Sequence, residues 1–184
     1  MPTLYIILSI IGVLILSAIF IYNSLISRRN RIDEAWSDIE VQMKRRYDLI
    51  PNVMETVKGY AAHEKGVFEN VTEARSAAMG AKTAKEHTQA ENMLTSTLKT
   101  LFAVSENYPD LKANANFLDL QRELADTENK IQSARRFYNA SILNYNTMIQ
   151  SFPSNTIAQS FGFSAREFFD LEEEAAKEPV KVKF

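Results

Sequence analysis

Residues 1–27 contain no Asp, Glu, Lys or Arg, and nothing else in the chain restricts its fold so tightly. Within them Leu4 to Ile26 is almost wholly apolar. As a helix rising ~1.5 Å per residue this run is about 35 Å long, and a bilayer core is ~30 Å thick, so it is long enough to span with a modest tilt. A cleaved signal peptide fits less well. No positively charged region precedes the apolar run, the run exceeds the usual ~7–15 residues, and no small-x-small cleavage site follows. The reading is therefore an uncleaved transmembrane anchor over residues 1–27.

Arg28, Arg29 and Arg31 follow directly, whereas Met1, Pro2 and Thr3 precede the apolar run. The excess of Lys and Arg on the C-terminal side predicts an N-terminus outside and the remainder in the cytoplasm. No later segment approaches ~18 charge-free apolar residues in a helical reading, so a single pass is expected.

About 155 residues remain, enough for one domain with its own core and too few to expect two. The expected division is an anchor over 1–27, a helical bundle domain over 28–178 and a short tail over 179–184. The chain has no Cys, which excludes disulfides and thiolate metal sites. A net charge of −2 argues against nucleic acid as a partner, which usually leaves a basic footprint. The arginines beside the apolar run are better suited to anionic lipid headgroups, making membrane lipid the first expected partner. Five Gly and five Pro in 184 residues are few for a chain of strands and turns.

Helical periodicity agrees. Trp36, Met43, Ile50 and Val57 form one seven-residue string, continued by Glu64, Val71 and Ala78. Ile32, Ile39, Arg46, Val53 and Tyr60 form another, continued by Val67 and Ala74. Together they give the alternating 3–4 spacing of a helix packed along one stripe. No Gly or Pro lies between Gly12 and Pro51, so the spanning helix is expected to continue as a stalk, with a kink rather than a break at Pro51. Gly80 to Thr83 ends that helix, and Thr83-Ala84-Lys85-Glu86 has the form of a capping box. The next helix ends before the turn signal Asn107-Tyr108-Pro109-Asp110. A third soluble helix, capped by Asn114 or Asn116, carries Phe117, Leu124, Ile131, Tyr138, Tyr145 and Phe152 at strict sevens until Phe152-Pro153 breaks it. After a connector from Thr156 to Phe163, a second capping box at Ser164 to Glu167 opens a short helix to about Lys177, packing Phe161, Phe163, Phe168 and Phe169 against one end. The fold class is all-α: one transmembrane helix continuing into an antiparallel bundle of long helices.

Motifs that carry chemistry are few. His63-Glu64 opens the zincin pattern, but position 67, where the second His belongs, is Val. The other histidine, His87, lies across a turn on another helix, and catalytic zinc normally takes three protein ligands. There is no Gly-x-Ser-x-Gly elbow, no Gly-x-x-x-x-Gly-Lys loop and no Gly-x-Gly-x-x-Gly fingerprint. Glu172-Glu173-Glu174 reads as a solvated face. The sequons at Asn70 and Asn139 fall inside expected helices on the cytoplasmic side. No catalytic residue, metal site, cofactor or small-molecule substrate is expected. Arg46 and Glu64 fall on the apolar strings, where an unpaired buried charge costs several kcal/mol. Each either finds a partner on a neighbouring helix or snorkels at the stripe's edge. Tyr22-Asn23, Tyr138-Asn139 and Tyr145-Asn146 recur, and read as buried tyrosines whose hydroxyls meet amides.

The run from Tyr22-Asn23-Ser24-Leu25 through Arg29-Asn30, Ala35-Trp36-Ser37-Asp38-Ile39, Lys44-Arg45-Arg46 and Asp48-Leu49-Ile50-Pro51-Asn52 to Val57-Lys58-Gly59-Tyr60 resembles the LemA family of bacterial membrane proteins. The likeness continues through Asn116-Phe117-Leu118, Thr127-Glu128-Asn129, Ala134-Arg135-Arg136, Phe152-Pro153, Phe161-Gly162-Phe163 and Phe168-Phe169, over essentially the whole chain. The resemblance implies an inner-membrane protein with an outward N-terminus and a cytoplasmic bundle of long helices. It brings no catalytic or cofactor residues.

The expected function is that of a membrane-anchored scaffold or adaptor acting through protein contacts, as a homo-oligomer and with a protein partner the sequence does not identify. The alternative is a protein that binds or shapes the lipid surface. A helix from Ile32 to Ala78 would be about 70 Å long, longer than either partner helix. Its membrane-proximal stripe at Ile32, Trp36 and Ile39 is therefore expected to stay open for a second copy, with Val180, Val182 and Phe184 as an additional arm.

Overall fold

The computed structural model describes residues 2–169. Among them the chain forms six helices and no strand: α1 (Pro2–Lys58), α2 (Lys65–Gly80), α3 (Ala84–Ser105), α4 (Pro109–Lys112), α5 (Ala115–Gln150) and α6 (Ser154–Ser160). The all-α expectation holds.

α1 runs unbroken for 57 residues, across the expected anchor boundary at 27/28 and through Pro51. Its N-terminal part is long and apolar enough to cross a membrane, and none of its most apolar window is buried. Pro51 has no N–H to give the carbonyl four residues earlier, which belongs to Tyr47. Arg75 of α2 donates its Nε to that carbonyl at 2.8 Å, so the group the proline leaves bare is satisfied and the helix continues.

The real interruption comes eight residues later. α1 stops at Lys58, and residues 59–64 form a connector before α2. The apolar strings run straight through this point, so periodicity alone extends the helix to Ala78. Gly59 weakens the helix there, and side chains from elsewhere hold the connector: Asn114 donates to the Tyr60 hydroxyl at 3.0 Å, and the Tyr108 hydroxyl donates to Glu64 at 3.3 Å. Tyr60 is consequently exposed rather than on a core stripe. The capping box at Thr83 forms in full, with both reciprocal bonds to Glu86. Asn114, not Asn116, accepts the Phe117 N–H at 3.0 Å beside the start of α5. The turn at Asn107–Asp110 continues into the single-turn helix α4.

The chain divides into two compact units, and both long helices pass through both of them. One holds α1 up to Val41 together with Ile131–Phe168. Within it α1 and α5 are antiparallel: Ser24 contacts Met148, and further along α1 the ring of Trp36 meets that of Tyr138, further back on α5. Leu25, Ile32, Ala35 and Ile39 of α1 are buried there, as are Ile131, Tyr138, Ile142 and Tyr145 of α5. The other unit is built on Gln42–Lys130. Its core takes Met43, Ile50, Val53 and Val57 from α1, Phe68, Val71 and Ala74 from α2, Leu94, Leu98 and Leu101 from α3, and Phe117 and Leu124 from α5. α2 packs against α3.

The fourth soluble helix expected from Ser164 is not formed over the described residues. Residues 163–169 are non-helical, and Thr156–Phe163, expected as a connector, contains most of α6. Asn146 explains the first point. Its side-chain amide donates to the Arg166 carbonyl and accepts from the Arg166 N–H, both at 2.9 Å, so it takes the backbone groups a helix would use. The part of that expected helix beyond Phe169 lies outside the described residues.

Candidate functional site

Of the expected membrane-flanking arginines, Arg28 and Arg31 sit at the edge of a groove between α1 and α5, and Arg29 does not line it. Ser24, Ser27, Arg28, Arg31, Phe137, Ala140, Ser141 and Asn144 line it, enclosing about 320 Å³. Among the described residues two guanidinium groups share this groove with three hydroxyls and an amide and no carboxylate lines it, while Arg31 also borders a neighbouring cleft that holds Glu34 and Asp38. A site so composed suits an anionic oxygen group rather than a cation. Arg31 also lies over the Phe137 ring, 5.2 Å from its centroid, and Arg29 over Phe163 at 5.8 Å. These stacks hold the guanidinium planes near the helix surface.

The candidates for contact between copies fare differently. Ile32 and Ile39 are fully buried within a single chain, and Trp36 is half-buried at the stripe's edge, where Ala35 takes the inner position. The open stripe inferred from helix lengths therefore does not exist. The connector at 59–64 shortens the first helix, and α5, at 36 residues, supplies the cover. Trp36 donates its indole N–H to Glu40 at 2.9 Å, as fits a ring with one edge in water. Val180, Val182 and Phe184 lie outside the described residues.

The four C-terminal aromatics do not form one cluster. Phe169 is buried and Phe163 half-buried, but Phe161 and Phe168 are exposed. Phe161 and Phe163 bracket Tyr22 of α1, with ring centroids at 4.9 and 5.7 Å. Of the Tyr-Asn pairs, Tyr138 and Tyr145 are buried as expected. Burial raises both hydroxyls above the ordinary tyrosine range. The amide of Asn146, however, serves Arg166.

In the second unit, Arg46 is a buried cation with partners on two other helices. Its guanidinium meets Glu91 of α3 at 3.0 Å and Glu128 of α5 at 2.9 Å, and donates to Thr95 at 2.8 Å. The Tyr47 hydroxyl donates to the other oxygen of Glu91. Burial, followed by the charge of Glu91, pushes the Tyr47 hydroxyl far above the ordinary tyrosine range. Arg46 and Glu91 are each 4% exposed. This network, not snorkelling, resolves the charge on the apolar string, and it joins α1, α3 and α5. Glu64 takes the Tyr108 hydroxyl instead of an ion pair. Glu91 was not singled out in the sequence, although it continues a 3–4 string of its own through His87, Leu94, Leu98, Leu101 and Ser105, all buried. The Arg46–Glu91 pair at its centre is buried and cross-bonded, which is the arrangement of a structural lock, while the Glu128 side chain at its rim is 31% exposed.

Among the described residues no group of three or more His, Asp or Glu side chains is placed to hold a metal ion. His63 is exposed and His87 is in the core.

The model of the LemA family matches residues 35–184. Protein LemA of Metamycoplasma hominis is 29% identical over 138 residues, which cover 74% of this chain and 63% of that protein. Magnetosome protein MamQ of Magnetospirillum gryphiswaldense is 24% identical over 185 residues, covering 86% of this chain and 68% of that one. The chain thus matches less than two thirds of the length of the LemA relative.

Proposed function

The chain belongs to the LemA family, and from that premise we propose that it is a non-enzymatic, membrane-anchored scaffold whose helical bundle presents surfaces to other proteins from the cytoplasmic face of the inner membrane. The observation that carries this reading is the continuity of α1. One helix of 57 residues contains both the lipid-length apolar run and Arg46. The arginines directly after the apolar run support the cytoplasmic placement, and their carboxylate-free groove supports contact with anionic headgroups.

Lateral association of copies belongs to the same reading. Anchored copies share one plane and one orientation, which raises their effective concentration. With Ile32 and Ile39 covered by their own chain, the contact falls to the unburied apolar face of α1 and to the C-terminal residues Val180, Val182 and Phe184. A further protein partner is recognised by the bundle surface. Neither nucleic acid nor a small-molecule substrate has a place in this account. The test is the mass of the intact protein in native-like lipid across a wide dilution range. A discrete assembly of several copies is expected, and a monomer at every concentration would overturn lateral association.

A further inference from the structure

A second charge-free stretch lies far from the first in sequence and beside it in space. Phe137 to Ala165 contains no Asp, Glu, Lys or Arg. It comprises the second half of α5, the turn at Phe152-Pro153, α6 and the return through Gly162, whose φ of +71° turns the chain back. This hairpin tip lies against the end of the apolar run of α1, through Met148 on Ser24 and Phe161 on Tyr22. Tyr22 precedes Arg28 by six residues, about 9 Å along a helix. Phe152 lies two residues past the end of α5, in the turn that leads to α6.

The first charges met on leaving this region are arginines on all three passes of the chain: Arg28 on α1, Arg136 on α5 and Arg166 on the non-helical return segment. Arg166 lies 3.5 Å from Asp33, and Arg31 lies over Phe137, so these passes reach their charges at one level. Beyond that level the exposed side chains include Phe152 at 85% and Phe161 at 63%. The hydroxyls there fold back onto the chain: Ser151 donates to the Thr147 carbonyl at 2.7 Å, Ser154 to Met148 at 2.6 Å and Ser160 to Thr156 at 2.9 Å.

We propose that the α5–α6 tip is a second membrane-contacting element, sunk into the headgroup–acyl boundary beside the transmembrane helix with Phe152 and Phe161 as its lipid anchors. The occupant of this apolar surface is the bilayer because the tip is continuous with a helix that already enters it. A tip without charges and with internally bonded hydroxyls enters that zone at low desolvation cost. The amides of Gln150 and Gln159 set the depth at the boundary rather than the bilayer centre. An arginine collar fits the anionic headgroup layer above it, and aromatic rings are favoured at that depth. The proposal rests on α1 spanning the membrane.

The chain has no native cysteine, so single fluorophores can be placed on the full protein at Phe152→Cys, Phe161→Cys, Leu14→Cys and Ser37→Cys. Each labelled protein is reconstituted into phosphatidylethanolamine–phosphatidylglycerol vesicles carrying brominated acyl chains. Labels at 152 and 161 are expected to be quenched by the brominated lipid several-fold more than the label at 37, as the label at 14 is, and to be shielded from aqueous iodide. Iodide quenching at 152 and 161 equal to that at 37, with 14 still lipid-quenched, would overturn the tip insertion alone. Shielding of 152 and 161 from both quenchers would assign the surface to a second copy or another protein and overturn it as well. A label at 14 open to iodide would overturn the membrane anchor itself.

Discussion

Arg75 on α2 donates its Nε to the backbone carbonyl of Tyr47 at 2.8 Å, the carbonyl that Pro51 leaves without its helical partner. One side chain thus lets a proline sit inside the longest helix and ties α2 to it. The expected outcome is a non-additive pair. Arg75→Met alone leaves the carbonyl unsatisfied and costs about 1–3 kcal/mol. In a Pro51→Ala background the new N–H takes the carbonyl, and the same change costs less. Denaturant midpoints of the four proteins measure the coupling, and strict additivity would contradict the arrangement.

Arg46 is the second place where α1 depends on other helices. Arg46→Ala leaves the Glu91 carboxylate buried without its countercharge and is expected to cost about 3–5 kcal/mol. Replacing Arg46→Met together with Glu91→Leu removes the two most buried charges and is expected to recover part of that loss, since Glu128 and the Tyr47 hydroxyl then lose their partners. A double variant as unstable as the single one would mean the site is held by something besides this pair.

The Tyr47 hydroxyl gives a pH signature. Its pKa is raised in the folded protein by burial and by Glu91, so the native state keeps a proton that the unfolded chain releases near pH ~10. The associated stability is fully present below that pH and declines as pH rises above it. Tyr47→Phe should therefore flatten the alkaline fall in Tm, leaving the part due to Tyr108, Tyr138 and Tyr145, whose hydroxyls are also raised. An unchanged alkaline limb would contradict the assignment to Tyr47.

Trp36 and Tyr138 separate the stripe's edge from its centre. Tyr138 is buried and Trp36 is half-buried with its N–H on Glu40. Tyr138→Ala should thus cost about 3–5 kcal/mol, the range for a buried aromatic, and Trp36→Ala clearly less. Chemical denaturation of the two variants decides it. The reverse order would place Trp36 in the core.

Much of this was legible in the residues. The apolar run, the stalk, the Thr83 cap, the α5 string as far as Tyr145 and the fold class follow from period and composition, because those features are local; Phe152, the last member of that string, is exposed beyond the end of α5. Four things were not, or only in part. The break after Lys58 is enforced by Asn114 and Tyr108, distant in sequence, while the apolar period continues unbroken across it. Residues 164–169 look like a capping box, but Asn146 captures the backbone of Arg166 first. The partner of Arg46 was findable, since Glu91 is a carboxylate on the apolar stripe of α3 just as Arg46 is a cation on that of α1. Pairing the two needed the helix packing. The charge-free stretch from Phe137 to Ala165 escaped a search for spans because Asn, Ser, Thr and Gln interrupt it, and only its position beside Tyr22 gives it meaning.

The central claim is that α1 crosses the membrane and carries the bundle on the cytoplasmic side. Ser37→Cys, one helical stretch past the arginines and exposed, tests it in intact cells with a membrane-impermeant maleimide. Labelling is expected only after the membrane is opened, with the protein remaining in the pellet after alkaline carbonate extraction. Labelling of intact cells, or release into the carbonate supernatant, would contradict the account.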